Sequence, residues 1–332
     1  MKNRTIDLSN VYIQSTFSSV GAKESEGPLA KYFDAKYSDD LLGQSSWEKA
    51  ESALIKTTVS GALTSANMTG EDVDMLFAGD LLNQCCASSF GLKAFDIPFF
   101  GLFGACSTFV EGLCLAGMMI EGGFADVAAA ATSSHFCSSQ KQYRFPLEYG
   151  EVRTPTAQWT VTGSGCAIVS KKKSKMKINK ITVGKIVDLG VTDANNMGAA
   201  MAPAAADTIY AHLSATGKNP DDYDCIVTGD LATVGTEILE ELMLDKGVDI
   251  KRKHIDCGTL IYNRETQNVQ AGGSGCGCIA SVFSGFFAKK LLSGEITKML
   301  LVGTGALMSP SSVLLGEPIA GIAHAVEIEG IN

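Results

Sequence analysis

A layered α/β fold built from two copies of one unit is what this sequence predicts, and three observations carry the prediction. A strand-and-turn block occurs twice. Asp72-Val73-Asp74-Met75-Leu76-Phe77-Ala78-Gly79-Asp80-Leu81 returns as Asp222-Tyr223-Asp224-Cys225-Ile226-Val227-Thr228-Gly229-Asp230-Leu231, at a constant offset of 150 residues (Asp80 to Asp230) and with five of ten positions identical. A second block returns in the same order. The turn at Cys106, the helix behind it, Gly123 and the strand up to Thr132 correspond to Gly273-Ser274-Gly275-Cys276-Gly277, a helix through Leu292, Gly294 and a strand over 299–303. The offset there is 171 (Gly123 to Gly294), so about 21 residues are inserted between the two blocks of the second half. Two matched blocks in one order argue for duplication. Finally, strands alternate with helices, which gives mostly parallel sheets covered on both faces. Two halves, 1–172 and 173–332, then stack through their central helices into five layers, α-β-α-β-α, with the helix N-termini near the shared interface.

Each element has a local reason. A short strand over 11–14 opens the chain, and 21–40, polar and without periodicity, reads as a loop or arm. Ser45-Ser46 before Trp47-Glu48-Lys49-Ala50-Glu51 is a helix start with early carboxylates, and that helix runs to about Ser65. Strands follow over 75–81 and 97–100, separated by a linker carrying Cys85, Cys86 and Gly91. Gly104 and Ala105 permit a sharp turn, and 109–120 is then apolar on every side, the mark of a buried helix. Cys106 sits at the mouth of that helix, where free backbone N–H groups and the helix dipole favour a thiolate or a bound anion. Cysteine is also common in apolar cores, so the local sequence leaves both a nucleophile or ligand cradle and a buried structural thiol open. Residues 126–132 form a buried strand ending in Ser133-Ser134-His135, at the strand end where α/β sheets bind ligands. The run Lys171-Lys172-Lys173-Ser174-Lys175-Met176-Lys177 reads as a solvated hairpin tip between the halves, with a membrane or partner contact as the alternative.

Composition removes several classes. A chain of 332 residues with 45% hydrophobic residues, 35 glycines and only 8 prolines has material for a well-cored α/β protein of two domains or one large one. Its net charge of −9 and lack of a basic stripe exclude nucleic acid as a partner. The ten cysteines follow no framework spacing and the N-terminus leads into no apolar signal region, so reduced thiols in a cytoplasmic-type compartment are expected. No apolar run is long enough to span a bilayer; the best candidate, 113–131, is broken by Glu121 and Asp126. Cys276-Gly277-Cys278 and Cys85-Cys86 invite a metal, yet no second pair or nearby histidine completes a four-ligand set, and no metal is expected.

With a duplicated α/β unit and a cysteine on the turn into a buried helix, the chain resembles the thiolase and ketoacyl synthase superfamily over nearly its whole length, including Thr162-Gly163-Ser164-Gly165-Cys166-Ala167. The likeness sharpens at Glu26-Gly27-Pro28-Leu29, Tyr32-Phe33-Asp34, Ser46-Trp47-Glu48-Lys49-Ala50-Glu51, Gly104-Ala105-Cys106-Ser107-Thr108, Thr132-Ser133-Ser134-His135, Glu148-Tyr149-Gly150, Asp256-Cys257-Gly258 and Ala271-Gly272-Gly273-Ser274-Gly275-Cys276-Gly277-Cys278. Together these are similar to a stage V sporulation family of spore-forming Firmicutes. That resemblance implies a binding protein for dipicolinic acid, or its calcium salt, that works with the other subunits of a spore membrane channel in uptake during sporulation and release at germination. It also implies a homodimer, held peripherally on the forespore or spore inner membrane, with no resident cofactor and calcium entering only alongside the ligand.

Whether the superfamily's acyl-transfer chemistry survives can be asked of the residues. Condensing enzymes of this superfamily pair the cysteine with a second-half His and Asn; matching those loops puts Asp256 and Gly273 at the two positions. The alternative pattern, a second-half His with a late Cys, fails because Val302-Gly303-Thr304-Gly305 has no cysteine. An Asp beside a thiol raises its pKa, and losing one oxyanion donor alone costs about 10² to 10³ in rate. A non-catalytic protein is expected, with Cys106 left as a vestigial nucleophile position. A planar dianion needs cations and a flat wall, and residues 140–162 supply Lys141, Arg144, Arg153, Phe145, Tyr149 and Trp159. The same arginines could instead pair with Glu148 and Glu151 at the surface. The expected ligand-binding set is Cys106, Ser133, Ser134, His135, Arg144, Tyr149, Arg153, Thr162 and Ser274. The competing classes are an acyltransferase or condensing enzyme using Cys106 on a coenzyme A thioester, and a structural scaffold.

Overall fold

The computed structural model describes residues 3–143 and 153–331. After β1 (Thr5–Asp7), strand β2 (Tyr12–Val20) runs well past the expected 11–14. Its serines look like loop residues in sequence, but Ser15 Oγ donates to Ala62 O at 2.7 Å and Ser18 Oγ to Asp34 Oδ2 at 2.8 Å, which lets both be buried inside a strand. Residues 21–40 are not a free arm either. They hold α1 (Ala22–Ser25) and β3 (Ala35–Lys36), which pairs in parallel with the end of β2. Helix α2 (Trp47–Ser65) begins as expected, with Ser46 Oγ accepting from Lys49 N at 3.3 Å. Then come β4 (Met75–Gly79), α3 (Cys86–Leu92), β5 (Phe99–Gly101), a 3₁₀ turn at Ala105–Ser107, α4 (Thr108–Glu121), β6 (Val127–Ser134), α5 (Phe136–Tyr143), β7 (Gln158–Thr160) and β8 (Gly163–Ser170). Strand β4 stops short of residue 81 because the Asp80 carboxylate bends the chain back by accepting from Leu82 N and Ser88 N.

The second half repeats the order: β9 (Met176–Thr182), α6 (Met197–Thr216), β10 (Cys225–Thr228), α7 (Ala232–Asp245), β11 (His254–Asp256), α8 (Cys257–Leu260), α9 (Arg264–Gln267) and β12 (Gly272–Ser274). Helix α10 (Cys276–Val282) continues through a π turn at Phe283–Phe287 into α11 (Ala288–Ser293), followed by β13 (Lys298–Leu307), α12 (Pro310–Leu314) and β14 (Ala320–Gly330).

The sheet order makes the duplication visible. Outward from the middle, β2-β8-β6-β4-β5 is matched by β9-β14-β13-β10-β11. In each set the outer three strands are parallel and the inner two antiparallel, so the sheets are mixed rather than mostly parallel. The sets join edge to edge where Tyr12 and Ile13 of β2 face Lys177 and Met176 of β9. Helices α2 and α3 cover the outer face of one set and α6 and α7 that of the other, while α4 and α10 fill the middle layer. There Phe109 meets Phe283 with ring centroids 5.8 Å apart. The continuous helix 276–293 is long and apolar enough by length and composition to cross a membrane, but 72% of it is buried inside this fold, as a core helix should be.

Candidate functional site

The site grows from the C-terminal ends of β10 and β13, where the central helices begin. Asp230, just past β10, is fully buried and accepts from Gly275 N at 2.9 Å, Ser274 Oγ at 3.1 Å and Thr304 Oγ1 at 2.8 Å. One carboxylate thus ties together β10, the turn into α10 and β13. Ser274 Oγ in turn lies 3.9 Å from Cys106 Sγ, and Gln158 Nε2 donates to Asp230 O at 2.5 Å. Cys106 follows Ala105, whose φ of 51° is the strained left-handed conformation that throws the next side chain into the cavity. Burial pushes the Cys106 thiol well above its ordinary pKa, and the neighbouring Asp230 pushes it further. Of the two readings the local sequence leaves open, the structure favours a neutral, buried thiol over a helix-entrance thiolate. The acid beside it is Asp230 rather than Asp256.

Above this floor lies a cavity of about 790 Å³. One wall comes from α5 and β7: the Phe136 and Trp159 rings stack with centroids 3.7 Å apart and planes 5° from parallel. The Arg153 guanidinium lies over the same pair, 4.8 Å from the Trp159 centroid and 5.7 Å from that of Phe136, and donates to Gln158 O. Tyr143 closes the wall with its hydroxyl on Leu81 O at 2.6 Å. The cavity is also lined by Met197, Met308, Val313 and Leu314, with Asn195 and Ser309 among them. Among the described lining residues there is one Arg and no Asp, Glu, Lys or His.

Of the residues expected from sequence, the cavity brings together Cys106, Arg153 and Ser274. Ser133, Ser134, His135 and Thr162 do not converge on it. Ser133 Oγ donates to Glu51 Oε1 at 3.2 Å, and Ser134 Oγ donates to Val161 O at 2.7 Å while accepting from Gly277 N at 3.1 Å. Thr162 Oγ1 accepts from Phe136 N at 3.1 Å. His135 Nδ1 accepts from Cys137 N at 3.1 Å, which puts the ring hydrogen on Nε2, and Nε2 donates to Asp40 O at 2.7 Å. Burial holds this imidazole below its usual pKa. All four side chains are taken up by hydrogen bonds to neighbouring protein groups around the strand end. Lys141 pairs with Glu48 at 2.5 Å on the surface instead. Arg144 and Tyr149, with Phe145, Glu148 and Glu151, lie outside the described residues.

Asp256 and Gly273 have structural duties. Asp256 Oδ2 accepts from Leu231 N at 2.9 Å and Thr228 Oγ1 at 2.7 Å, and Oδ1 from Ala232 N at 2.9 Å and Thr259 N at 3.2 Å; burial lifts its pKa to about 7. Gly273 pairs with Trp159 across β12 and β7, and a Cβ there would lie 2.9 Å from Ile261 Cγ2. Neither lines the cavity. Among the described residues no group of three His, Cys, Asp or Glu is placed to hold a metal. Cys276 and Cys278 turn to different carbonyls, Ser133 O and Gly229 O, at 3.0 and 3.5 Å. The residues that sequence reasoning missed are Asp230, Phe136, Gln158 and Tyr143. For Asp230 the signal was present, since it stands in the repeated Gly-Asp-Leu block at a strand end.

The fold is thiolase-like. 3-Oxoacyl-[acyl-carrier-protein] synthase III from Aquifex aeolicus superimposes with a TM-score of 0.59 at 14% identity, covering 96% of this chain and 99% of that one. OleA from Xanthomonas campestris superimposes with a TM-score of 0.60 at 15% identity, covering 98% of each chain. At such identities the likeness is one of fold. The chain belongs to the stage V sporulation protein AD family, whose model matches residues 2–329. It is 44% identical over 319 residues to stage V sporulation protein AD of Bacillus subtilis (strain 168), covering 96% of this chain and 94% of that protein.

Proposed function

We propose that this sporulation protein is a non-catalytic binder of dipicolinic acid, pyridine-2,6-dicarboxylate, in the cavity over Cys106. The observation that carries the reading is the Arg153 guanidinium laid on the stacked Phe136–Trp159 pair, in a cavity whose described lining holds no carboxylate. A flat pyridine ring matches the aromatic wall. Each of its carboxylates gains about 1.5–3 kcal/mol from a charged hydrogen bond, and the chain's net charge of −9 makes such a local cation necessary. The volume exceeds what one ring fills, which leaves room for calcium and water to enter with the dianion. A thiol kept protonated, with Asp256 and Gly273 committed elsewhere, supports a site that binds without acyl transfer. The same reading has the protein working with the other subunits of a spore membrane channel, peripherally on the forespore or spore inner membrane, without a resident cofactor. A homodimer through β5 fits it too: this edge strand exposes Phe99 and Phe100, 39% and 50% accessible, beside Phe103.

Calorimetric titration with dipicolinate, with pyridine-2-carboxylate as control and with and without calcium, is the test. Saturable binding that needs both carboxylates is expected; no heat and no protection against thermal unfolding at millimolar ligand would overturn the reading. A second reading, an acyltransferase on a coenzyme A thioester, draws on Cys106 lining the cavity of a fold that enzymes share. Release of coenzyme A from an acyl thioester, abolished by Cys106→Ala, would favour it.

A further inference from the structure

The lysine-rich run falls on a tight connection between β8 and β9, at the end of β6 opposite the cavity. β6 starts at Val127, which faces Ser170 across the sheet, and ends at Ser134 beneath the cavity floor, roughly 23 Å of strand away. The connection is built rather than loose. Gln14 Nε2 donates to Lys172 O at 2.5 Å, Ser174 Oγ to Ile13 O at 2.6 Å and Ile331 N to Lys175 O at 2.7 Å. It presents Lys171, Lys172, Lys173 and Lys175 outward, with Lys177 half-buried at the start of β9. Lys171 is bridged to Asp126 at 2.9 Å, and Lys177 faces Glu329 across β14 with Glu121 nearby. Lys172, Lys173 and Lys175 make no ion pair among the described residues.

The same edge carries apolar tips. Phe124 is 72% exposed on the loop between α4 and β6, two residues before the Asp126 that bridges to Lys171. On the other side Ile331, 41% exposed, is the residue bonded to Lys175 O. Unpaired lysines flanked by an aromatic and an aliphatic tip match the boundary between anionic headgroups and acyl chains, where cations meet phosphate and apolar side chains enter the interface. An acidic protein surface would complement the lysines but leave Phe124 and Ile331 without a use. The chain's overall negative charge does not prevent this, because charges beyond about 8–10 Å are screened at physiological salt.

We propose that this edge docks the protein on an anionic lipid surface, with the β8–β9 connection against the headgroups and Phe124 and Ile331 inserted beside it. The cavity then lies at the far side of the molecule, and ligand reaches it from solution rather than through the lipid. This deepens the membrane placement proposed above and depends on it.

The test is flotation of the purified full chain with vesicles of phosphatidylglycerol and phosphatidylcholine, against phosphatidylcholine alone, at low and high salt. The parent chain is expected to float with the anionic vesicles only and to detach in high salt. Lys172→Gln, Lys173→Gln and Lys175→Gln together are expected to weaken partitioning by roughly fivefold for each lysine at low salt. Phe124→Ser is expected to weaken it severalfold at either salt, with dipicolinate titrations unchanged in both variants. Binding of the variants equal to that of the parent overturns the assigned edge and leaves membrane placement by another face. Failure of the parent to bind anionic vesicles overturns both, as does lysine-dependent capture by an acidic protein without lipid binding; the dipicolinate titration is judged separately.

Discussion

Cys106 shows two opposing effects on one atom. A helix N-terminus stabilises an anion by about 0.3–1 kcal/mol, up to ~2 in favourable geometry, whereas full burial shifts a thiol by up to about 3–5 pKa units, each worth about 1.4 kcal/mol. Burial wins, and Asp230 adds to it. Cys106→Ala is therefore expected to leave dipicolinate affinity within about threefold, while Arg153→Ala, which removes the one charged hydrogen-bond donor among the described lining residues, costs at least about tenfold. Calorimetry on both variants checks this, and an equal loss in the two would refute the division of roles. His135→Ala belongs to a different readout. It removes a fully buried ring together with its bonds to Cys137 N and Asp40 O and leaves a cavity in its place, so it is expected to lower Tm and leave affinity within about threefold. The sequence could not separate these cases: a serine or histidine at a strand end has the same local pattern whether it faces a ligand or caps a carbonyl.

At the scale of elements, the floor holds its shape because α10 rests directly on β8. A Cβ on Gly165 would lie 2.0 Å from Ala280 O, and one on Gly277 would lie 2.2 Å from Gly163 O. Both clashes are with backbone, which no rotamer change relieves. Gly165→Ala and Gly277→Ala are therefore expected to destabilise by more than about 3 kcal/mol or to prevent folding. Gly123→Ala, with open space but a φ of 76°, is expected to cost about 1 kcal/mol through backbone strain alone. Urea unfolding of the three variants checks the order, and comparable losses would show that the close approach is not what fixes α10. The repeat was legible because a strand, an acid and a turn into a buried helix need the same small and apolar residues in both copies. The two acids have diverged in their partners: Asp80 closes the turn after β4 by accepting from Leu82 N and Ser88 N, whereas Asp230 reaches across to Gly275 N and leaves the turn after β10 to Asp256, which accepts from Leu231 N and Ala232 N. The cavity wall was not legible, since Phe136 and Trp159, 23 residues apart, stack only after β7 pairs with β12 of the other half. Likewise β2 hid behind its serines, whose buried bonds run to Ala62 and Asp34.

For the whole molecule, the buried carboxyls set how stability depends on pH. Burial lifts Glu24 to about 7, and burial with the nearby Asp80 lifts Glu51 to about 8; Asp256 rises to about 7. Glu51 and Asp80 titrate as a pair, so one of them keeps a proton at neutral pH. A raised folded pKa means that the folded state holds its protons more tightly than the unfolded chain. The stability from these groups is fully present below about pH 4.5 and is lost as pH rises through about 7 to 8. Glu327 acts in the opposite sense. Burial alone would raise it, but hydrogen bonds from His212, Lys218 and Tyr223 hold it down at about 2. Its contribution is present above about pH 4.5 and is lost as pH falls toward 2. Burial also holds His135, His254 and His324 below their usual pKa, the last two at about 4, so stability from these neutral rings grows as pH rises toward 6.5 and partly offsets the loss from the carboxyls until the fall through about 7 to 8. Thermal unfolding from about pH 3 to about pH 9 is expected to show Tm falling by several degrees between pH 5.5 and 8.5. Glu51→Gln is expected to flatten that alkaline limb while leaving the acid limb, and Glu327→Gln to do the reverse. A Tm that rises from pH 5.5 to 8.5 in the parent chain would mean that these carboxyls are ionised in the fold.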